Sequence, residues 1–129
     1  MLDGEPPRVL PIMEILLGAQ PAYSYEAKTA DTVEHRCPAE LSSAEAADLG
    51  RLAIRAGRAI GCRDFWRVDF RADARGVQRI LEVNTLPGLQ PGYSDLPRMA
   101  EPAGMSYAEV VRCIVESAAR RIVRPRGGA

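Results

Sequence analysis

The sequence has little of what marks several large classes of protein. Cysteine occurs only three times in 129 residues, as Cys37, Cys62 and Cys113. The number is odd, the spacing is wide and no CxxC pair occurs. The pattern therefore predicts neither a disulfide framework nor a zinc site, and a reducing cytoplasm is the expected setting. Neither sign of charge is in excess: 17 Lys and Arg face 17 Asp and Glu, for a formal net charge of zero. That excludes the global basic field of a nucleic-acid or membrane-surface binder. Long apolar runs are missing too. The longest, Ile15–Ala19, is far too short to span a bilayer. The opening Met1-Leu2-Asp3-Gly4-Glu5 is acidic and lacks the basic start and apolar stretch of a signal peptide. No internal repeat occurs. What remains is 47% hydrophobic and 26% charged residues, the composition of an ordinary globular domain with one sizeable core.

Periodicity and punctuation divide the chain into elements. Arg8–Leu17 reads as a strand, with Pro11 marking an edge or irregularity, and Gln20–Leu41 as a loop. Ser42 opens a helix with a capping box to Glu45. Leu49, Leu52, Ala53, Ala56 and Ile60 form its apolar stripe, and Gly61 stops it. Phe65–Ala72 and Gln78–Asn84 read as strands joined by the turn Asp73–Val77. A Pro- and Gly-rich loop, Thr85–Tyr93, follows. Ser106 and Glu109 form a second capping box. The last helix has an apolar face of Tyr107, Val110, Val111, Ile114, Val115, Ala118 and Ile122, and Pro125 ends it. The expected architecture is α+β, a mostly antiparallel sheet covered by helices, with residues 1–124 as one domain and 125–129 as a disordered tail.

The two strands Arg67-Val68-Asp69-Phe70 and Leu81-Glu82-Val83-Asn84 both alternate polar and apolar residues. If the polar residues share one face, paired numbers must sum to an odd value. A four-residue loop, Ala74–Val77, meets that condition. It sets Asp73 opposite Gln78, Asp69 opposite Glu82 and Arg67 opposite Asn84, with Val68, Phe70, Leu81 and Val83 on the buried face. Two carboxylates then stand directly opposed, which is unfavourable unless a cation lies between them. Asp69, Glu82 and Asn84 offer only oxygen, a set that suits Mg²⁺ or Mn²⁺ together with substrate phosphates. The competing reading is a solvated sheet face on which Arg67 neutralises one acid, and the alternation alone does not choose between the two. Gly88, in the loop that leaves the hairpin at this end, allows close approach of a ligand to the backbone.

Other residues read as structural. His35 is a surface or loop-packing residue, and Cys37 a structural residue beside Pro38. Cys62 and Cys113 are small packing residues. Trp66 alternates with Arg67 and belongs with Val68 in the core. Arg120, Arg121, Arg124 and Arg126 favour the C-terminal end of the helix dipole, with Glu116 offsetting them in part.

Tyr25-Glu26-Ala27-Lys28, Arg67-Val68-Asp69-Phe70 and Leu81-Glu82-Val83-Asn84-Thr85-Leu86-Pro87-Gly88 occur in that order. Cys37-Pro38-Ala39 lies between the first two, and Ala103-Gly104-Met105-Ser106-Tyr107 follows the third. Together they resemble the C-terminal half of D-alanine–D-alanine ligases, members of the ATP-grasp superfamily whose activity serves peptidoglycan biosynthesis. The resemblance runs from about Val9 to Ile122. It implies that Asp69, Glu82 and Asn84 hold two Mg²⁺ (or Mn²⁺) ions bridging the phosphates of ATP, and that Lys28 reaches a phosphate. It gives Arg67 the transferring phosphoryl group or the tetrahedral intermediate, and the Gly88 backbone N–H an oxyanion or carboxylate. Leu81 would pack against adenine and Ser94 would bind the carboxylate of the second substrate. The reaction implied is peptide-bond formation through an acyl phosphate. The partners implied are small-molecule amino-acid substrates, with no nucleic acid and no membrane.

The sequence departs from the family pattern in three ways. It lacks the N-terminal and lid domains, so the expectation is a fragment inactive on its own, with a missing N-terminal half or a homodimer as its macromolecular partner. Thr29 replaces the usual Tyr after the lysine. The loop Leu89–Pro97 is one residue longer than the family's and carries Asp95, an acid that would repel a substrate carboxylate and attract an amine, where the family usually has Leu. Three functions follow as alternatives: a D-alanine–D-alanine ligase domain, an ATP-grasp ligase for other amino acids or peptides, or a non-catalytic remnant.

Overall fold

The computed structural model describes residues 1–4, 6–16 and 34–123. Strands β1 (Glu14–Leu16) and β2 (Glu34–Arg36) come first, then helix α1 (Ser43–Ala59) and strands β3 (Arg67–Ala72) and β4 (Gln78–Asn84). Helix α2 (Asp95–Ala100) runs into a 3₁₀ turn, Glu101–Ala103, and helix α3 (Tyr107–Val123) closes the chain. Both strand pairs are antiparallel, β1 with β2 and β3 with β4. The α+β expectation holds, with the sheet divided into two ribbons among the described residues.

The first strand is much shorter than the apolar run Arg8–Leu17 suggests. Pro11 has no N–H to donate to a ladder, and the flanking backbone is used elsewhere. Arg8 exchanges hydrogen bonds with Leu2 at 3.0 and 2.9 Å, and the Ile12 carbonyl accepts from Ala39 N at 2.8 Å. β2 occupies part of the stretch expected to be loop and sets His35 opposite Ile15.

Both capping boxes form. Ser42 Oγ accepts from Glu45 N at 3.3 Å while Glu45 Oε2 accepts from Ser42 N at 2.8 Å. Ser106 and Glu109 repeat the arrangement at 3.3 and 2.7 Å. The buried face of α1 keeps Leu49 and Ala53 of the predicted stripe but not Leu52 or Ile60. Leu49, Gly50, Ala53 and Gly57 are buried, whereas Ile60 is 57% exposed. Two glycines make that face by letting large neighbours approach the helix. A Cβ on Gly50 would stand 3.2 Å from Val9 Cγ2. At Gly57 the indole of Trp66 fills the space, fully buried, with Nε1–H donating to the Ala53 carbonyl at 3.1 Å. Trp66 thus belongs to the core, as alternation predicts.

The core has two clusters. Trp66, Met1 and Ala53 pack with Ile54, Cys62, Val68, Phe70 and Val83 beneath the β3–β4 hairpin. Leu2, Leu10, Phe65, Leu96, Ala100, Met105 and Val110 form the second, between α2 and α3. The chain start ties them together, since Leu2 bridges both Arg8 and Phe65. On α3 the face predicted to be apolar splits. Val110 is buried, but Tyr107, Val115 and Ile122 are exposed.

Candidate functional site

The hairpin that carries the polar residues is built by a turn and a bulge. Asp73 organises the turn: Oδ1 accepts from Arg75 N at 2.9 Å and Val77 N at 3.0 Å, and Oδ2 from Arg79 Nη2 at 3.0 Å. The Asp73 N–H donates to the Val77 carbonyl at 2.9 Å, and Gly76 takes the left-handed conformation at φ +77°. The loop is therefore Ala74–Gly76, three residues rather than the expected four. Ala72 pairs with Gln78, Arg71 with Arg79 and Phe70 with Ile80. The register then shifts between Asp69 and Phe70. Beyond the shift Asp69 pairs with Glu82, Val68 with Val83 and Arg67 with Asn84. The odd register predicted for the polar residues holds, but a bulge at Leu81 supplies it, not the turn. The same bulge corrects the expectation that Leu81 is buried, because its side chain is 65% exposed. Adjacent Ile80 and Leu81 break the alternation that runs from Leu81 to Asn84, and that is the signal in the sequence for the extra residue.

Arg67, Asp69, Glu82 and Asn84 thus share the face opposite Val68 and Phe70. Arg67 Nε donates to Asp69 Oδ1 at 2.7 Å and Nη2 to Asp69 Oδ2 at 3.0 Å, a fork-to-fork pair. Its third edge, Nη1, donates to Asp95 Oδ2 at 2.8 Å. Burial pulls the Arg67 pKa down. The hydrogen bond and charge of Asp69, with the charges of Asp95 and Glu82, outweigh that and leave it raised. The solvated-face reading was right that Arg67 neutralises an acid, and the opposed carboxylates of the metal reading are also in place. Asn84 Oδ1 accepts from Leu86 N at 3.1 Å, turning the chain out of β4.

The loop returns to the hairpin through Gly88 and Ser94. A Cβ on Gly88 would lie 2.6 Å from Ser94 Oγ, so glycine is needed for the two to meet. Ser94 Oγ accepts from Gln90 N at 3.0 Å. Ser94 is the N-cap residue of α2 and Asp95 its first residue, so this helix aims the carboxylate at Arg67. Helix α2 was missed in the stretch after the loop, although Ser94 at the N-cap, Asp95 in the first turn and Pro97 just inside are start signals. Lys28, Tyr25 and Thr29 lie outside the described residues. Cys37 is half-buried, burial pushes its thiol up, and Sγ lies 3.8 Å from the Pro11 carbonyl, consistent with a packing role.

The donor set fits a hard divalent cation: two carboxylates at opposed register positions and an amide two residues further along β4, on the same face, all oxygen. Among the described residues no group of three or more His, Cys, Asp and Glu side chains gathers as a metal site, so this set depends on Asn84 or on phosphate oxygens for further ligands. No described helix is long and apolar enough to cross a membrane.

Comparison with known proteins places this geometry in context. A family model described as D-ala D-ala ligase C-terminus matches residues 1–116. A D-alanine–D-alanine ligase of Bordetella petrii is 41% identical over 123 residues, which cover 95% of this chain and 37% of that protein. One from Pelotomaculum thermopropionicum is 36% identical over 119 residues, covering 92% and 37%. The crystal structure of a Bacillus anthracis D-alanine–D-alanine ligase complexed with ATP superposes with a TM-score of 0.69 at 27% identity, over 86% of this chain and 34% of that one. The chain therefore spans little more than a third of the length of the relatives it matches.

Proposed function

The chain belongs to the D-alanine–D-alanine ligase C-terminal family, and on that premise we propose that it supplies the metal- and phosphate-facing part of an ATP- and Mg²⁺-dependent carboxylate–amine ligase. The observation that carries the reading is the shared face of Arg67, Asp69, Glu82 and Asn84, with Gly88 and Ser94 returning beside it. In this reading Asp69, Glu82 and Asn84 hold the divalent ions. When bound, such ions neutralise phosphate charge and fix the phosphates for in-line transfer. Arg67 donates hydrogen bonds to the oxygens that gain charge as the phosphoryl group moves to the first substrate's carboxylate and as the second substrate's amine attacks the acyl carbon and inorganic phosphate leaves. The Gly88 N–H donates to an oxyanion or carboxylate, and Ser94 to the carboxylate of the second amino acid. Exposed Leu81 offers apolar surface to adenine, and Lys28 reaches a phosphate. D-Alanine is the proposed substrate for both positions.

A second substrate reading has its own observation. The Asp95 carboxylate already occupies Nη1 of Arg67 at 2.8 Å, so an incoming carboxylate meets a like charge where the family usually has Leu. An ATP-grasp ligase that uses a different amino acid or peptide, with an amine-bearing or carboxylate-free acceptor, avoids that repulsion. One experiment tests both: join this chain to the amino-terminal two-thirds of a full-length relative and follow ATP-dependent phosphate release and product mass. Product from D-alanine, abolished by Asp69→Asn, is the expected outcome. Product only from other acceptors supports the second reading. A folded chimera silent with every acceptor, beside an active parent, overturns both and leaves a non-catalytic remnant.

A further inference from the structure

Arg67 links the hairpin's Asp69 to Asp95 on the loop side of the site, and its bonding is unequal. Both oxygens of Asp69 face the guanidinium, at 2.7 and 3.0 Å, whereas Asp95 takes a single bond at 2.8 Å. A carboxylate engaged in this fork presents its best lone pairs to Arg67 rather than across the strands to Glu82. A divalent cation drawn to Asp69 and Glu82 also meets the guanidinium charge at close range. For the cation to bind well, Arg67 must give up part of its hold on Asp69, and its charge needs another partner. Asp95 is that partner, and it is already in contact. It is also held firmly, as the first residue of α2, whose next residue, Leu96, is 1% exposed in the core. Arg67 can therefore pivot about Nη1 without breaking its bond to Asp95.

We propose that Asp95 is a positioning residue that acts through Arg67: as a divalent cation loads on Asp69 and Glu82, the guanidinium shifts from Asp69 toward Asp95, so that Asp95 sets the affinity of the metal pair. The shift couples metal loading to the loop that carries Ser94, because Ser94 and Asp95 are adjacent. The inference rests on the metal reading above.

The test uses the 129-residue chain and Mn²⁺ alone, with bound metal followed by electron paramagnetic resonance and water-proton relaxation, and with thermal unfolding of every variant in parallel. Wild type binds Mn²⁺, and Asp69→Asn or Glu82→Gln removes the binding. Asp95→Asn weakens it about tenfold, the scale of one charge-assisted hydrogen bond, and Asp95→Glu recovers most of the loss. Arg67→Gln tightens binding, since it frees Asp69 and removes a cation. In that background Asp95→Asn changes affinity by less than about twofold, a level at which a double-mutant cycle still reads the coupling. Equal weakening in both backgrounds would mean that Asp95 acts by its own charge, and would overturn the proposal while leaving the metal reading intact. Unchanged affinity in the single variant overturns it as well. No Mn²⁺ binding sensitive to Asp69→Asn overturns both the proposal and the metal reading. Should Asp95→Asn fail to fold, Asp95→Ser takes its place in the cycle.

Discussion

Gly57→Ala is a small change with a large expected cost. In most helix interiors this substitution stabilises by about 0.5–1 kcal/mol, because alanine loses less backbone entropy on folding. Here the new Cβ would stand 2.9 Å from Trp66 Cδ1 and closer still to Nε1 and Cε2. The ring is rigid and fully buried, so it cannot swing aside as the end of a flexible chain would. Either α1 shifts away from the hairpin or the indole moves. Overpacking of this kind costs about 1–3 kcal/mol. Displacing the ring also breaks the bond from Nε1–H to the Ala53 carbonyl at 3.1 Å and leaves a buried donor unmet, about 1–3 kcal/mol more. Set against the helix gain, the net is about 3 kcal/mol of destabilisation, or about 10 °C in melting temperature for a domain of this size. Trp66 is the only tryptophan, so its fluorescence reports the ring directly beside circular dichroism. The cost should fall in a Trp66→Phe background, where the smaller ring leaves room. A Gly57→Ala protein as stable as wild type, or more so, would refute the packing of Trp66 on this face.

Two further expectations concern charge and completeness. Asp64 takes a left-handed φ of 63° and accepts from Arg121 Nη2 at 2.7 Å; the hydrogen bond from Arg121 holds its carboxyl below its ordinary value of 3.8. A depressed carboxylate pKa contributes stability that is present above 3.8 and lost as pH falls through the folded value. Asp64→Asn, which keeps a residue that tolerates this φ, should lower the melting temperature at pH 7 by about 2–4 °C and flatten the acid side of the stability profile. An acid limb unchanged in Asp64→Asn would place its origin elsewhere. The 129-residue polypeptide alone should form no dipeptide from ATP and D-alanine above background, because phosphoryl transfer needs the phosphates enclosed and Leu81 and Glu82 are exposed. Phosphate release that depends on both D-alanine and Asp69 would overturn that.

The ease of reading the sequence varied with the range of the interaction. Capping boxes at Ser42 and Ser106 involve residues three apart and were fully legible. The shared face of Arg67, Asp69, Glu82 and Asn84 followed from alternation, which a strand enforces locally. The buried face of α1 was legible only at Leu49 and Ala53, because Gly50 and Gly57 form the rest of it and a hydrophobicity pattern scores glycine as empty. Its value appears only when Val9 and Trp66 arrive from distant parts of the chain. β2 was missed because a three-residue strand owes its existence to its partner, not to its own propensity. That Asp95 would approach Arg67 could be anticipated from the return of the loop. That Arg67 would bond two acids at once could not, since the partners sit two and 28 positions away.

The bulge at Leu81 bears on why the site has this form. The Asp73 turn closes a three-residue loop, which alone would set Asp69 opposite Leu81 and put one acid on the wrong face. One extra residue in β4 restores the polar face without altering the turn. Deleting Leu81 should therefore leave every observed pair intact, with Phe70 opposite Ile80 and Asp69 opposite Glu82 in a continuous ladder. Leu81 is 65% exposed, so little apolar burial is lost, and relief of the irregular ladder offsets it. The melting temperature should stay within about 4 °C of wild type, equivalent to about 1 kcal/mol. Mn²⁺ binding that depends on Asp69 and Glu82 should persist within about threefold, because the register of the donors is unchanged. Nucleotide binding by a chimera that contains the amino-terminal part should weaken, because the exposed apolar side chain proposed to meet adenine is gone. A deletion variant that unfolds would show that the bulge holds the hairpin together. A variant that folds but loses metal would show that the bulge aims Glu82 rather than merely correcting its register.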